Sequence, residues 1–200
     1  MSTSPLVRIA LITGANKGLG LETARQLGRL GITVLLGSRD AARGADAVAR
    51  LKADGITAAA ISLEVTNSAS ITAAVAQVTK LHGRLDILIN NAGVLDYAAD
   101  SGVETTSVDT FRRVFETNVF GVVAVTQAFL PLLKKSPAGR IVNLSSILGS
   151  LAEHSDRNSF IYGFRWPAYD SSKAAVNMYT IELAHSLIGT AIKVNAAHPG

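Results

Sequence analysis

Tyr169 and Lys173 stand four positions apart at the start of a stretch, Ala168–Leu187, whose pattern predicts a helix. That spacing returns to the same helical face. A tyrosine hydroxyl ionises near pH 10 on its own, too high for easy proton exchange near neutrality. A neighbouring ammonium favours the phenolate and lowers that value, which would let Tyr169 protonate an alkoxide formed when hydride reaches a carbonyl carbon. Such a pair is a frequent accident, so it needs company. Asn118 shares an apolar helical stripe with Phe111, Val114, Phe115, Val122 and Val125. An amide buried there must find partners or cost about 1–3 kcal/mol. Two roles are open to it: satisfying a local backbone kink, or holding a water chain that leads to Lys173. Ser145-Ser146 follow the expected strand Arg140–Leu144, at the carboxyl edge where doubly wound sheets bind ligands. Serines also cap turns well, so the pair is ambiguous by itself.

A second kind of chemistry is written near the start of the chain. An apolar run, Val7–Thr13, leads into Gly14-Ala15-Asn16-Lys17-Gly18-Leu19-Gly20, and a helical pattern follows. Gly14 suits a tight turn off the strand, while Gly18 and Gly20 let a pyrophosphate and then the strand approach the backbone. The helix start supplies free N–H groups and a partial positive charge for phosphate. After the second strand stand Ser38-Arg39, where an acidic residue would favour the ribose hydroxyl of NAD. Arg39, with Lys17 as a second cation, is placed to meet a 2′-phosphate, so NADP is expected.

These residues need elements to position them. Short apolar runs (Val7–Thr13, Thr33–Ser38, Ala58–Leu63, Asp86–Asn90, Arg140–Leu144 and Ala191–Ala196) alternate with helical patterns (Leu19–Leu30, Ala41–Ala53, Ser68–His82, Val108–Leu133 and Ala168–Leu187). Ser107 is a candidate cap for the fourth helix. The alternation predicts an α/β fold with a doubly wound parallel sheet in a single domain over residues 1–200. Between Ser146 and Tyr169, Phe160, Tyr162, Phe164 and Trp166 gather four of the eleven aromatic side chains. If that segment is extended, the spacing of two puts all four on one side, as an apolar wall for substrate or as cover for the long helices.

Composition removes other classes. There is no cysteine, so disulfides and thiol catalysis are excluded, and the four histidines form no metal-binding pair. The net charge of +4 is scattered, which argues against nucleic acid as a partner. No run of about 20 apolar residues predicts a membrane span, and a soluble, cytoplasmic protein is expected.

Taken together, these motifs resemble the short-chain dehydrogenase/reductase family along essentially the whole chain. Thr13–Gly20 matches the family's TGxxxGxG loop and Asn90-Asn91-Ala92-Gly93 its NNAG segment. Asn118, Ser146, Tyr169 and Lys173 match its Asn-Ser-Tyr-Lys tetrad in order, and Asn195-Ala196 with Pro199-Gly200 resembles the segment that touches the nicotinamide. The loop sequence and Arg39 are most similar to the carbonyl reductase branch. The resemblance implies a Rossmann-type fold and hydride transfer from NADPH to a ketone or aldehyde. Ser146 would polarise the carbonyl and Tyr169 donate the proton. Lys173 would lower the tyrosine's pKa and bind the ribose, while Asn118 would support the relay. It implies cofactor contacts at Gly14, Asn16, Lys17, Gly18, Leu19, Gly20, Ser38, Arg39, Glu64, Val65, Asn91, Ala92, Gly93, Tyr169, Lys173, Pro199 and Gly200.

This chain departs from the family in three places. Glu64-Val65 replaces the usual Asp-Val at the adenine contact. Ser146 and Tyr169 are 23 positions apart, which implies an insertion. The sequence stops at Pro199-Gly200, so the sheet is expected without its usual last strand, in a fragment or in a protein with an open site. Two other activities stay open: alcohol oxidation by the same residues, and NADP binding without turnover by a sensor or scaffold. The protein is expected as a monomer or homo-oligomer.

Overall fold

Successive side chains of a strand leave on opposite faces, and a strand apolar throughout demands cover on both. The first and fourth strands of this chain are buried at every position. The computed structural model, which describes residues 7–199, meets that demand with a parallel six-stranded sheet. Its strands are β1 (Ile9–Ile12), β2 (Thr33–Ser38), β3 (Ala58–Ser62), β4 (Ile87–Asn90), β5 (Arg140–Leu144) and β6 (Lys193–Ala197), in the order β3-β2-β1-β4-β5-β6. This is the Rossmann arrangement, and the described residues form one domain with no seventh strand.

Helices α1 (Gly18–Arg29), α2 (Ala41–Ala53) and α3 (Ser68–His82) cross between the strands, and α4 (Val108–Phe115) follows β4. Then come α5 (Gly121–Leu133), a short α6 (Leu151–Ser155) and α7 (Pro167–Ser186). Period-two alternation decides which helices cover which face. Ala10, Ile12, Val34, Leu36, Ile87 and Ile89 pack with α1 and α2 through Leu21, Ala24, Val48 and Leu51. Leu11, Leu35, Leu88 and Ile141 face the other way, onto Val78 of α3, Phe129 of α5 and Leu183 of α7. A buried polar ladder crosses this second layer. Asn90 donates to Thr126 at 2.9 Å and to Asn143 at 2.8 Å, and Asn143 donates to Thr180 at 2.9 Å.

Three expectations need correction. The stretch Val108–Leu133 is not one regular helix: a π-helical turn over Glu116–Phe120 joins α4 to α5 and carries the buried Asn118. Taken whole, that stretch is also long and apolar enough to cross a membrane. Here Val125, Phe129 and Leu133 bury its apolar face against the sheet. The aromatic segment before Tyr169 is not extended. A 3₁₀ turn (Ile147–Gly149), α6 and a run of turns occupy it, because local caps at Ser146 and Ser150 satisfy its backbone in place of a sheet partner. Smaller shifts are end effects. Asp86 precedes β4 rather than opening it, since its carboxylate accepts from the Ile9 N–H at 2.9 Å and the Ser136 hydroxyl at 2.6 Å.

Candidate active site

The strand order reverses between β1 and β4, and the loops leaving their carboxyl ends diverge there. Thr13, outside the candidate set, ties the two loops together. Its hydroxyl accepts from the N–H groups of Asn91 at 3.0 Å and Ala92 at 2.9 Å. In return the Asn91 side chain donates to the carbonyls of Thr13 at 2.8 Å and Gly14 at 3.2 Å. Gly14 and Gly18 hold φ values of +62° and +56°, a region that favours glycine. A Cβ on Gly20 would stand 2.5 Å from the Asn91 amide nitrogen, so this close approach requires glycine.

A cleft of about 440 Å³ opens over these loops. It is lined by Gly14 and Asn16 through Gly20, by Arg39 after β2, by Glu64 and Val65 after β3, and by Asn91, Ala92 and Gly93 after β4. Lys17 begins α1 without a side-chain cap, and a Cβ on Gly18 would meet only open space. These features fit a dinucleotide: a glycine cradle, uncapped helix N–H groups for the pyrophosphate, and cations at the far end. Ser38 reaches neither this cleft nor the cavity beside it; it is buried, and its hydroxyl donates to the Asp40 carbonyl at 2.7 Å. The Arg39 side chain is 77% exposed, and its only ion-pair contact among the described residues is Glu64, at a loose 3.9 Å.

The cleft continues, through Asn91, Gly93 and Val94, into a cavity of about 490 Å³ lined by Ser146, Tyr169, Lys173 and Pro199. Gly200 lies outside the described residues. The two serines differ in space: the Ser145 hydroxyl is committed to Asn177 at 2.6 Å, while the Ser146 hydroxyl accepts the Leu148 N–H at 3.2 Å and shares the cavity lining with Tyr169. Burial raises the Tyr169 phenol above its ordinary pKa; the nearby Ser146 hydroxyl opposes this, and the phenol of Tyr97 and carboxylate of Asp170 add to it. The direction is opposite to the lowering expected from Lys173. Lys173 is itself buried, its ammonium is 5.4 Å from the Tyr169 ring centre, and its hydrogen bond goes to the Leu144 carbonyl at 2.8 Å. Desolvation lowers Lys173 from 10.5 to about 8.

The Asn118 side chain makes no hydrogen bond to Lys173. It accepts from the Val94 N–H at 2.8 Å and donates to the Val94 carbonyl at 2.9 Å and the Ser172 hydroxyl at 3.0 Å. This amide holds the loop after β4 against α7. Of the aromatic run, Phe160, Phe164 and Trp166 line the cavity, joined by Tyr97 from the β4–α4 loop. Trp166 stacks on Phe164 with centroids 5.4 Å apart and meets Tyr97 edge-on at 5.5 Å. Tyr162 is not on that wall; its ring lies under the Arg165 guanidinium at 5.1 Å. With turns in place of a strand, alternate residues no longer share a side.

The family model for short chain dehydrogenases matches residues 8–200. The chain is 41% identical over 204 residues to the short-chain dehydrogenase anuI of Penicillium roqueforti, covering 99% of this chain and 79% of that one. It is 36% identical to a cyclopentanol dehydrogenase of Comamonas testosteroni, across 96% of this chain and 72% of that relative. Among solved structures, a gluconate 5-dehydrogenase from Burkholderia cenocepacia, in complex with NADP and tartrate, superposes with a TM-score of 0.84 at 28% identity, covering 98% of this chain and 72% of that one. The chain belongs to the short-chain dehydrogenase/reductase family. It is an oxidoreductase of a family that works with a nicotinamide cofactor.

The buried lysine predicts how stability follows pH in the protein without cofactor. Its folded-state value of about 8 lies below its ordinary 10.5, so between these values the unfolded chain binds more protons. Stability therefore rises with pH through this window, and the contribution is lost as pH falls through 8. Relative to Lys173→Met, the parent should gain on the order of 3 kcal/mol between pH 7 and 10.5 in urea unfolding. Parallel stability curves for the two proteins would show that Lys173 is not desolvated.

Proposed function

We propose that this oxidoreductase reduces a ketone or aldehyde with NADPH, Tyr169 donating the proton. The observation that carries this reading is that Ser146, Tyr169 and Lys173 line one apolar-walled cavity that adjoins the glycine cleft. When bound, the cofactor supplies hydride. Gly14 to Gly20, Asn91 to Gly93 and Lys173 would hold it. The substrate carbonyl oxygen accepts from Ser146 and Tyr169, which orients it and draws charge from the carbonyl carbon. Burial keeps the phenol protonated near neutrality, the state a donor needs. As charge develops on the oxygen, the phenol proton moves from Tyr169 to the alkoxide, and the Lys173 ammonium steadies the phenolate left behind. The same groups run alcohol oxidation in reverse, and the name of the Comamonas relative supports that direction.

NADPH over NADH follows from Arg39. It is exposed, sits at the mouth of the cleft and is held only loosely by Glu64, so it can turn to a 2′-phosphate. The NADP named for the Burkholderia structure is consistent with this. The Tyr97–Trp166–Phe164 stack supports a flat apolar substituent on the substrate, since ring faces and edges reward it.

Tyr169→Phe removes only the transferable proton, so turnover should fall roughly a hundredfold to ten-thousandfold while NADPH affinity holds. Turnover within about tenfold of the parent, some 1.4 kcal/mol of barrier, would overturn the assignment. Arg39→Asp places a like charge against the 2′-phosphate and should reverse cofactor preference in steady-state assays. A variant that favours NADPH as strongly as the parent would leave Arg39 as ordinary surface. Phe164→Ala with Trp166→Ala should weaken bulky aromatic ketones and spare small aldehydes. If both substrates lose equally and the loss tracks the melting temperature, the stack is structural cover.

A further inference from the structure

The first turn of α7 carries Tyr169, and its backbone donors have an unusual source of satisfaction. Trp166 at the cap position has no side-chain acceptor to offer, and Pro167 has no N–H. Trp166 donates instead to the Asp170 carboxylate at 3.1 Å, and Asp170 N–H returns to the Trp166 carbonyl at 2.8 Å. The remaining two donors are those of Ala168 and Tyr169. Both go to one carboxylate, 68 and 69 residues away: Asp100 Oδ1 accepts from Ala168 at 3.0 Å and Oδ2 from Tyr169 at 2.8 Å.

Asp100 has no measurable exposure and makes no ion pair among the described residues. A buried carboxylate without a cation is expensive unless hydrogen bonds and dipoles meet its charge. Here they are the two helix N–H groups, the positive end of α7, and the Thr106 hydroxyl at 3.3 Å. The loop that carries Asp100 also brings Tyr97 onto Trp166 and is clamped at Val94 by Asn118. A surface cap would need only a serine or aspartate at position 166. A buried carboxylate reaching in from the β4–α4 loop ties that loop, with Tyr97 on the cavity wall, to the main chain of the proton donor.

We infer that Asp100 is a positioning residue: its two oxygens set the main chain of Tyr169, and hence the phenol, relative to Ser146 and the cavity wall. The inference rests on the reading of Tyr169 as proton donor. Asp100→Asn keeps one acceptor and turns a second donor toward an N–H; Asp100→Ala removes both acceptors. A displacement of the phenol by about 1 Å is enough to cost turnover up to a hundredfold.

The test compares the parent, both Asp100 variants and Tyr169→Phe in the full chain. In Asp100→Asn, kcat should fall about tenfold, and in Asp100→Ala about a hundredfold, with KM for NADPH and its fluorescence-measured Kd within about twofold of the parent. Amide exchange in a peptide spanning residues 164–172 should quicken in Asp100→Asn while peptides from α5 stay as protected as before. If Tyr169→Phe is inactive and Asp100→Asn retains kcat within about twofold, the positioning role is overturned and the donor assignment survives. If Tyr169→Phe retains turnover, the donor assignment fails first and takes this inference with it. Asp100 variants that fail to fold, or that lose NADPH affinity as steeply as kcat, would make Asp100 a general structural residue and overturn the inference.

Discussion

A buried ammonium governs the arrangement around it. Lys173 is taken out of water at the carboxyl edge of the sheet, where one carbonyl, that of Leu144, accepts from it. An ammonium has three donors, so this position suits a group meant to bind something further while charged. Desolvation makes that charge costly, as the lowered value of about 8 records. The position holds because α7 and β5 are both rigid, and because Gly149 packs where a Cβ would stand 2.7 Å from the Lys173 carbonyl carbon. The helix can approach the strand end only across a glycine.

The same closeness shapes Tyr169. It lies one helical turn before Lys173, yet burial first, with the Tyr97 phenol and the Asp170 carboxylate, raises its pKa. Within the protein alone, the phenol is therefore firmly protonated near neutrality rather than half ionised. The nearby carboxylates of Asp100 and Asp170 serve the backbone of the α7 start as well as its field. Hydrogen bonding and electrostatics are here properties of one helix end.

At the other end of the channel, charge is left loose. Arg39 and Glu64 lie on successive strand ends of the sheet, both facing the glycine cleft, and their 3.9 Å separation in an exposed setting is worth little. A weak pair of this kind keeps a cation near the cleft mouth without committing it. The contrast with the buried α7 start follows solvent access: exposed charges can reorganise on binding, and buried ones must be set in advance.

The alternation of apolar runs and helical patterns was enough to read six strands, their parallel pairing and the bounds of α1, α2, α3 and α7 to within a residue, because burial on both faces leaves a strong local pattern. Type and spacing at the ends of expected elements singled out the glycine loop, Tyr169 and Lys173, while the choice of Ser146 over Ser145 came from the family resemblance. Other features depend on contacts far apart in sequence. The π-helical turn at Asn118 answers to Val94 and Ser172, and the aromatic wall borrows Tyr97 while dropping Tyr162. Ser38, expected at the cofactor, turns inward to a carbonyl two residues away. Asp100 carries no local signal at all, standing in a polar loop like any solvated aspartate. The chain by itself determined which elements form and which ends carry chemistry, because those follow from local period and burial. The folded structure alone decided which side chains meet across 24 to 69 residues of sequence, because a hydrogen bond depends on distance in space and leaves no period along the chain.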